Sequence, residues 1–152
     1  MKNLTKLFYQ IDESLVKWMN KHGTTWLRFS IGIIFLWFGI LKFFPGMSPA
    51  EDLAVNTINK LTFGLISDLT ILYGLASLET LIGACLVFNL FMRITLLLLL
   101  IQMAGTFMPI VLFPKEVFNL FPFALTIEGQ YIIKNLIIVS AVFVIGATVN
   151  RG

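Results

Sequence analysis

The chain has 152 residues, of which 58% are hydrophobic and only 12% are charged. A soluble domain of this length carries about twice that charged fraction. The net charge of +3 comes from basic residues scattered along the chain, which excludes the basic stripe of a nucleic-acid-binding protein. Composition therefore predicts an all-α integral membrane protein, with the lipid bilayer as a partner and no nucleic acid.

The first predicted element is an amphipathic helix in residues 1–25, upstream of the first span. Its apolar residues recur at helical spacing between Asn3 and Lys21. Gly23 is the expected C-cap that ends this helix. A basic amphipathic helix beside a span is typical of an interfacial helix on the membrane surface, and docking on a partner is the alternative. The apolar residues are Leu4, Leu7, Phe8, Ile11, Leu15, Trp18 and Met19, framed by Lys2, Lys6, Lys17 and Lys21.

Four apolar stretches in residues 26–152 are each long enough to cross the hydrocarbon core, which takes about 20 residues of helix. They predict a four-helix membrane bundle, with a tight turn at Asn89–Arg93. Ser48 begins a predicted capping box, with proline at the first helical position, for a short helix to about Leu61. The phenylalanines of Pro114–Gln130 predict an interfacial or bundle-capping loop. The stretches are Trp26–Phe44, Leu69–Leu90, Ile94–Phe113 and Tyr131–Thr148.

Lysine and arginine counts predict the orientation of the bundle. With both termini inside, seven basic residues lie on the inner side and four on the outer side, which favours cytoplasmic termini. Arg28 and Arg93 are expected to act as inner-side anchors. The inner residues are Lys2, Lys6, Lys17, Lys21, Arg28, Arg93 and Arg151, and the outer ones are Lys42, Lys60, Lys115 and Lys134.

Three charged residues within or near the spans are the strongest functional signal. A charge at a helix centre costs roughly 2.5–3.5 kcal/mol, which offsets much of what an apolar span gains. Glu79 lies about halfway along the second span, whereas Lys42 and Lys134 lie near the outer ends of the first and fourth. Opposite charges at similar depth predict that Glu79 pairs with one of the lysines. Such a pair can serve a ligand or only hold the bundle together, and a lysine near a helix end can instead snorkel to the headgroups.

Small and polar residues form one stripe on each span, which predicts that the stripes face a common interior. On the first span the stripe repeats at four- and three-residue spacing from Arg28 to Lys42, and its two glycines allow close helix approach. Pro109 is expected to free the Gly105 carbonyl and to kink the third span. The predicted ligand-binding or buried polar cluster is Lys42, Glu79, Thr106, Lys134, Trp37, Gln102 and Asn135, and the predicted packing glycines are Gly32, Gly39 and Gly83.

Missing residue types exclude several cofactors. The chain has one histidine, His22, outside the spans, and one cysteine, Cys85. A bis-histidine haem needs two intramembrane histidines and iron–sulfur clusters need several cysteines, so neither is expected. No metal site, covalent cofactor, nucleotide-binding motif or catalytic residue is indicated. Any role in electron transfer would require a mobile carrier such as a quinone, or a partner subunit.

Two groups of motifs resemble the DoxX-like family of small bacterial membrane proteins. The first is RFSIGIIFLWFGILKFFP at residues 28–45, followed by SPAE at residues 48–51. The second is Glu79 with Gly83, and EGQ at residues 128–130 with Lys134 and Asn135. The motifs occur in the family's order, and the resemblance covers the chain from Arg28 to the C-terminus.

The resemblance implies a four-helix bundle in the bacterial inner membrane. The family's namesake is similar to a small subunit of a thiosulfate:quinone oxidoreductase, and relatives are linked to oxidative or reactive-chlorine stress. The connection after the first span is short where some relatives have a larger outer segment, so no extracytoplasmic catalytic domain is expected. The landmarks that carry over are Arg28, Trp37, Lys42, Glu79 and Lys134.

Three functions fit these features. The first is a redox- or stress-associated subunit that binds a quinone, or another lipophile such as a lipid, between its helices. Such a chain would be at most an accessory subunit of a quinone-linked oxidoreductase. The second is a non-enzymatic assembly or scaffold subunit that binds a membrane-protein partner. The third is a small transporter formed by a homo-oligomer.

Overall fold

The computed structural model describes residues 2–48 and 50–149, and of residues 2–7 it describes only the backbone. In this part of the chain four helical segments are long and apolar enough to cross a membrane, which confirms the all-α four-helix membrane bundle. The first span lies in α1, the second is α3, the third comprises α4 and α5, and the fourth comprises α7 and α8. The elements are α1 (Lys2–Leu41), α2 (Glu51–Leu61), α3 (Asp68–Phe88), α4 (Met92–Phe107), α5 (Pro109–Leu112), α6 (Pro114–Val117), β1 (Phe118–Leu120), β2 (Ala124–Leu125), α7 (Ile127–Lys134) and α8 (Leu136–Thr148).

α1 is one continuous helix, so the expected C-cap at Gly23 is wrong. Its 40 residues extend about 60 Å, roughly twice the hydrocarbon thickness. Arg28 lies level with the C-terminal end of α3, because its guanidinium donates to the carbonyl oxygens of Leu86 and Val87. The part of α1 before Arg28 therefore projects beyond the bundle. We call this end of the bundle the Arg28 end and the opposite one the Lys42 end.

α2 ends at the predicted residue but begins differently from the expectation. Ala50, with a left-handed φ of 55°, occupies the N-cap position, so the helix begins at Glu51 and the prediction of Ser48 as its N-cap residue is wrong. The Glu51 carboxylate instead accepts a hydrogen bond from the Gly46 N–H at 3.1 Å, which ties the helix to the turn after α1. Pro49, the expected first helical residue, lies outside the described residues, as does Arg151 at the C-terminus.

The turn between α3 and α4 is confirmed as tight. Asn89 ends α3 with a left-handed φ of 59°. The Leu90 N–H reaches back to the Cys85 carbonyl at 2.8 Å, as in a Schellman motif. α4 begins at Met92, so the second and third spans are antiparallel neighbours.

Proline interrupts the third span where the sequence predicts it. α4 ends at Phe107 and α5 begins at Pro109. Proline has no N–H for the Gly105 carbonyl, which instead accepts from the Met108 N–H at 3.1 Å. The short helix α5 continues the span to Leu112.

The link between the third and fourth spans contains structure that the sequence did not indicate. The short helix α6 leads into an antiparallel hairpin of β1 and β2. Thr126 caps α7: its hydroxyl accepts from the Gly129 N–H at 3.0 Å and donates to the Glu116 carbonyl at 2.6 Å. The fourth span consequently begins at Ile127 rather than at Tyr131.

The apolar core runs through all four spans, and its closest helix contact joins α1 to α3. A Cβ atom on Gly39 would lie 2.6 Å from the Thr80 amide nitrogen, and one on Gly83 would collide with the Leu36 backbone. Gly32 packs against Val87 in the same way. Glycine therefore sets the distance between these helices. The buried core residues are Ile31, Phe35, Ile82, Leu86, Leu96, Leu99, Met103, Ala141, Val142 and Ile145.

Substituting Gly83 tests this contact. Gly83→Ala should lower the free energy of unfolding by about 1–3 kcal/mol, because the added methyl group meets backbone that cannot move aside. Gly74→Ala is the matched control on α3, since a Cβ atom at Gly74 would have no neighbour within 4 Å, and it should stabilise by up to about 1 kcal/mol through helix propensity. Reversible unfolding in mixed micelles gives both values. Equal stability of the two variants would contradict the close contact.

Candidate functional site: a buried polar cluster from three spans

An ion pair joins the first and second spans near the Lys42 end. The Lys42 ammonium nitrogen lies 2.6 Å from Oε2 of Glu79. Only 11% of the Lys42 side chain and 12% of the Glu79 side chain are exposed. Lys42 follows directly after the last residue of α1, and Glu79 lies in the middle of α3, so the lysine reaches toward the centre of the bundle.

The third span completes this polar cluster. Gln102 of α4 donates from Nε2 to Oε1 of Glu79 at 2.9 Å. Thr106, one turn further along α4, donates its hydroxyl to the Gln102 carbonyl at 2.9 Å. Each carboxylate oxygen of Glu79 therefore accepts a hydrogen bond from a side chain outside α3. We refer to Lys42, Glu79 and Gln102 as the polar triad.

The polar triad has more donors than acceptors. An ammonium group carries three N–H donors and a primary amide carries two, whereas Glu79 takes one from each. The remaining donors of Lys42 and Gln102 can serve a carbonyl or hydroxyl oxygen of another molecule. In hydrocarbon such donors are valuable because water is not there to satisfy them.

Thr80 is a polar residue beside the triad that the sequence analysis missed. Its Oγ1 is buried and is the single side-chain oxygen or nitrogen, among the described residues, that is buried without a hydrogen-bond partner. It faces the backbone of Gly39 across the contact between α1 and α3. Its position directly after Glu79 was the available signal, because two adjacent helical residues can border the same interface.

Trp37 and Lys134, both predicted for the cluster, lie elsewhere. Trp37 is 66% exposed and lies on the face of α1 that points away from α3. Lys134 is exposed, with its ammonium 5.9 Å from the centre of the Tyr131 ring, so it is not the partner of Glu79. Asn135 separates α7 from α8. The structure thus brings together Lys42, Glu79, Gln102 and Thr106 of the predicted set.

The two predicted anchors have different surroundings. Arg28 is half-buried and donates to Val87 O at 3.1 Å and to Leu86 O, which places a positive charge at the C-terminal end of α3. This position is favourable because the helix dipole is negative there. Arg93 lies exposed in the first turn of α4.

A second polar feature lies at the Lys42 end, between α2 and the α6–α7 region. It is an open depression lined by Gly46, Ser48, Ala50, Leu53 and four carboxylate residues. Glu51 is held by the Gly46 backbone, so the depression is built on the turn after α1. The carboxylates are Glu51, Asp52, Glu116 and Glu128.

The fold and the triad define a multi-pass membrane protein with a buried charged cluster. The chain matches no family model, and searches of the curated proteins and of the solved structures give no match.

Removing one partner of the ion pair should be costly, whereas removing both should not. Lys42→Met leaves the Glu79 carboxylate buried without its cation, so we expect a loss of about 3 kcal/mol in the free energy of unfolding. The double variant Lys42→Met/Glu79→Gln should recover most of that loss, because the neutral amide needs no counter-charge. Lys134→Met, at an exposed lysine, should change stability by less than about 0.5 kcal/mol. Additive losses in the double variant would rule out the direct pair.

Proposed function

We propose that this chain is a DoxX-like subunit of the bacterial inner membrane that binds a quinone, or a similar carbonyl-bearing lipophile, at the polar triad. It would act as an accessory subunit in quinone-linked redox or stress metabolism. The observation that carries this proposal is the charged, hydrogen-bonded cluster of Lys42, Glu79 and Gln102 in the apolar interior of the bundle. An intramembrane ionisable group marks a functional site more often than a neutral one does.

The ligand class follows from the spare donors. Lys42 and Gln102 offer N–H groups, and both oxygens of Glu79 are already engaged, so the cluster favours a guest that accepts hydrogen bonds. A ring carbonyl oxygen of a quinone accepts such bonds, and its isoprenoid tail belongs in lipid. Recognition by a few placed polar groups in an apolar setting is how small lipophiles are usually bound.

An aromatic pair beside the triad supplies a surface for a flat ring. Phe43, next to Lys42 in the chain, stacks on Tyr73 of α3 with ring centres 6.3 Å apart and an angle of 23°. Both side chains are also exposed on the surface of the bundle. This pair takes the place that the sequence analysis gave to Trp37, which lies on another face of α1.

A scaffold role is the second candidate, and one observation favours it. Within the chain Glu79 already has a donor for each of its oxygens, so the carboxylate is satisfied without a guest. In that case the triad would serve only to fix the packing of α1, α3 and α4. The two candidates differ in what co-purifies with the chain: a quinone or a stoichiometric membrane-protein partner.

Quinone content of the purified protein separates these candidates. Protein extracted in a mild detergent and analysed by solvent extraction and mass spectrometry should retain quinone above the level of its co-purified lipid. Gln102→Leu removes the spare amide donor together with the one that serves Oε1 of Glu79, and it leaves the ion pair in place, so the retained quinone should fall several-fold. Lys134→Met is the control and should retain the wild-type amount. Quinone at background level in the wild-type protein would contradict the proposal.

We also infer that both termini are cytoplasmic, because this orientation puts the larger number of lysines and arginines inside. A C-terminal fusion to alkaline phosphatase should be inactive and one to a green fluorescent protein should be bright. Active phosphatase at the C-terminus would reverse the assignment.

A further inference from the structure

The part of α1 that projects beyond the bundle carries an unpartnered apolar surface. Phe8, Ile11, Leu15 and Trp18 recur at three- and four-residue spacing, and each is more than half exposed. Since these side chains follow one face of a helix, they form a stripe rather than scattered apolar residues. A stripe of this kind in water would be unfavourable, so something covers it.

The same stripe continues, in phase, along the part of α1 that packs in the bundle. Trp26, Phe29, Ile33 and Ile40 extend the spacing, and all are exposed on the side away from α3. In a membrane these four side chains contact lipid. From Phe8 to Ile40 the stripe is about 50 Å long, whereas the hydrocarbon core is about 30 Å thick, so a straight helix would leave its first turns uncovered.

A polar ridge flanks this stripe along α1 with the same continuity. Gln10, Ser14, Lys17 and Lys21 recur at four- and three-residue spacing. Continued along the helix, this ridge becomes the face that packs on α3 and ends at Lys42. The polar side of the projecting part and the side of the span that packs on α3 are therefore one continuous face of the helix.

The residues between the two parts of α1 are weak helix formers. His22, Gly23, Thr24 and Thr25 occur where the helix leaves the bundle, just before Arg28. Glycine costs about 1 kcal/mol relative to alanine in a helix interior, and β-branched threonine is also disfavoured. Nothing lies within 4 Å of the position of a Cβ on Gly23, so packing does not explain this glycine.

We propose that the projecting part of α1 binds the surface of the bilayer, by bending at His22–Thr25 toward the lipid side. If the helix bends toward the side that carries the stripe, Phe8–Trp18 turn to face the membrane. Trp26–Ile40, further along the same stripe, contact the lipid of that membrane. It also turns the polar ridge to water. A bend toward the bundle would do the reverse and expose the stripe, so the phase of the two surfaces selects the direction. The residues before Arg28 carry four lysines and two acidic residues, which suits anionic headgroups.

Nitroxide labels on the full chain test this placement. In a Cys85→Ser background, which removes the only cysteine, one label is attached at Ile11→Cys on the stripe and another at Gln10→Cys on the polar ridge. The protein is reconstituted in phosphatidylcholine vesicles that contain phosphatidylglycerol. The Ile11 label should collide several-fold more with oxygen, which partitions into lipid, than with a water-soluble nickel chelate. The Gln10 label should show the opposite preference.

Two other results would overturn the proposal. If both labels collide freely with the nickel chelate, the projecting helix is exposed to water, and its stripe would be a binding surface for another protein. If the Ile11 spectrum is broadened and sharpens on dilution with unlabelled protein, a second copy covers the stripe instead. A second pair of labels, Leu15→Cys on the stripe and Lys17→Cys on the polar ridge, shows whether the first result depends on one label position.

Discussion

The close contact between α1 and α3 is the constraint on which the rest of the structure depends. Hydrocarbon contains no water to solvate an ammonium or carboxylate group, so Lys42 and Glu79 must satisfy each other. They can do so only if the two helices approach at the distance that Gly39 and Gly83 permit. A side chain at either glycine would move the helices apart and would separate the charges. In this bundle the ion pair therefore depends on the close packing of the two helices.

Glu79 also links the third span to this contact, because it accepts a hydrogen bond from Gln102. Replacing a buried ion pair with well-packed apolar side chains is often neutral or stabilising, so the pair is weak evidence for a purely structural role. Leucine at each position of the triad would suit the apolar helices that carry it. The presence of three hydrogen-bonding side chains in this place is better explained by a ligand or by a need for one specific helix arrangement. The spare N–H donors of Lys42 and Gln102 favour the ligand.

Periodicity and the cost of a buried charge predicted much of the site. A charge inside a span needs a partner, and the four- and three-residue spacing identified the face on which Lys42 lies. Which lysine pairs with Glu79 depends on the rotation and depth of two helices in the fold, and no local pattern contains that information. Trp37 is different, because it lies two positions from both Phe35 and Gly39, which places it on the opposite face of a helix. The spacing alone could have excluded it from the cluster.

For the fold as well, long periodic patterns predicted the structure better than single residues did. Gly23 suggested the end of a helix, but the apolar stripe from Phe8 to Ile40 keeps its phase across that glycine. A helix that ended at Gly23 would have no reason to resume with the same phase, so this continuity was the stronger signal. The hairpin after α6 had no comparable signal, because strands of three and two residues are too short for a period to appear. Where a pattern spans several turns it determines the element, and a lone glycine within it is better interpreted as a place where the helix can bend.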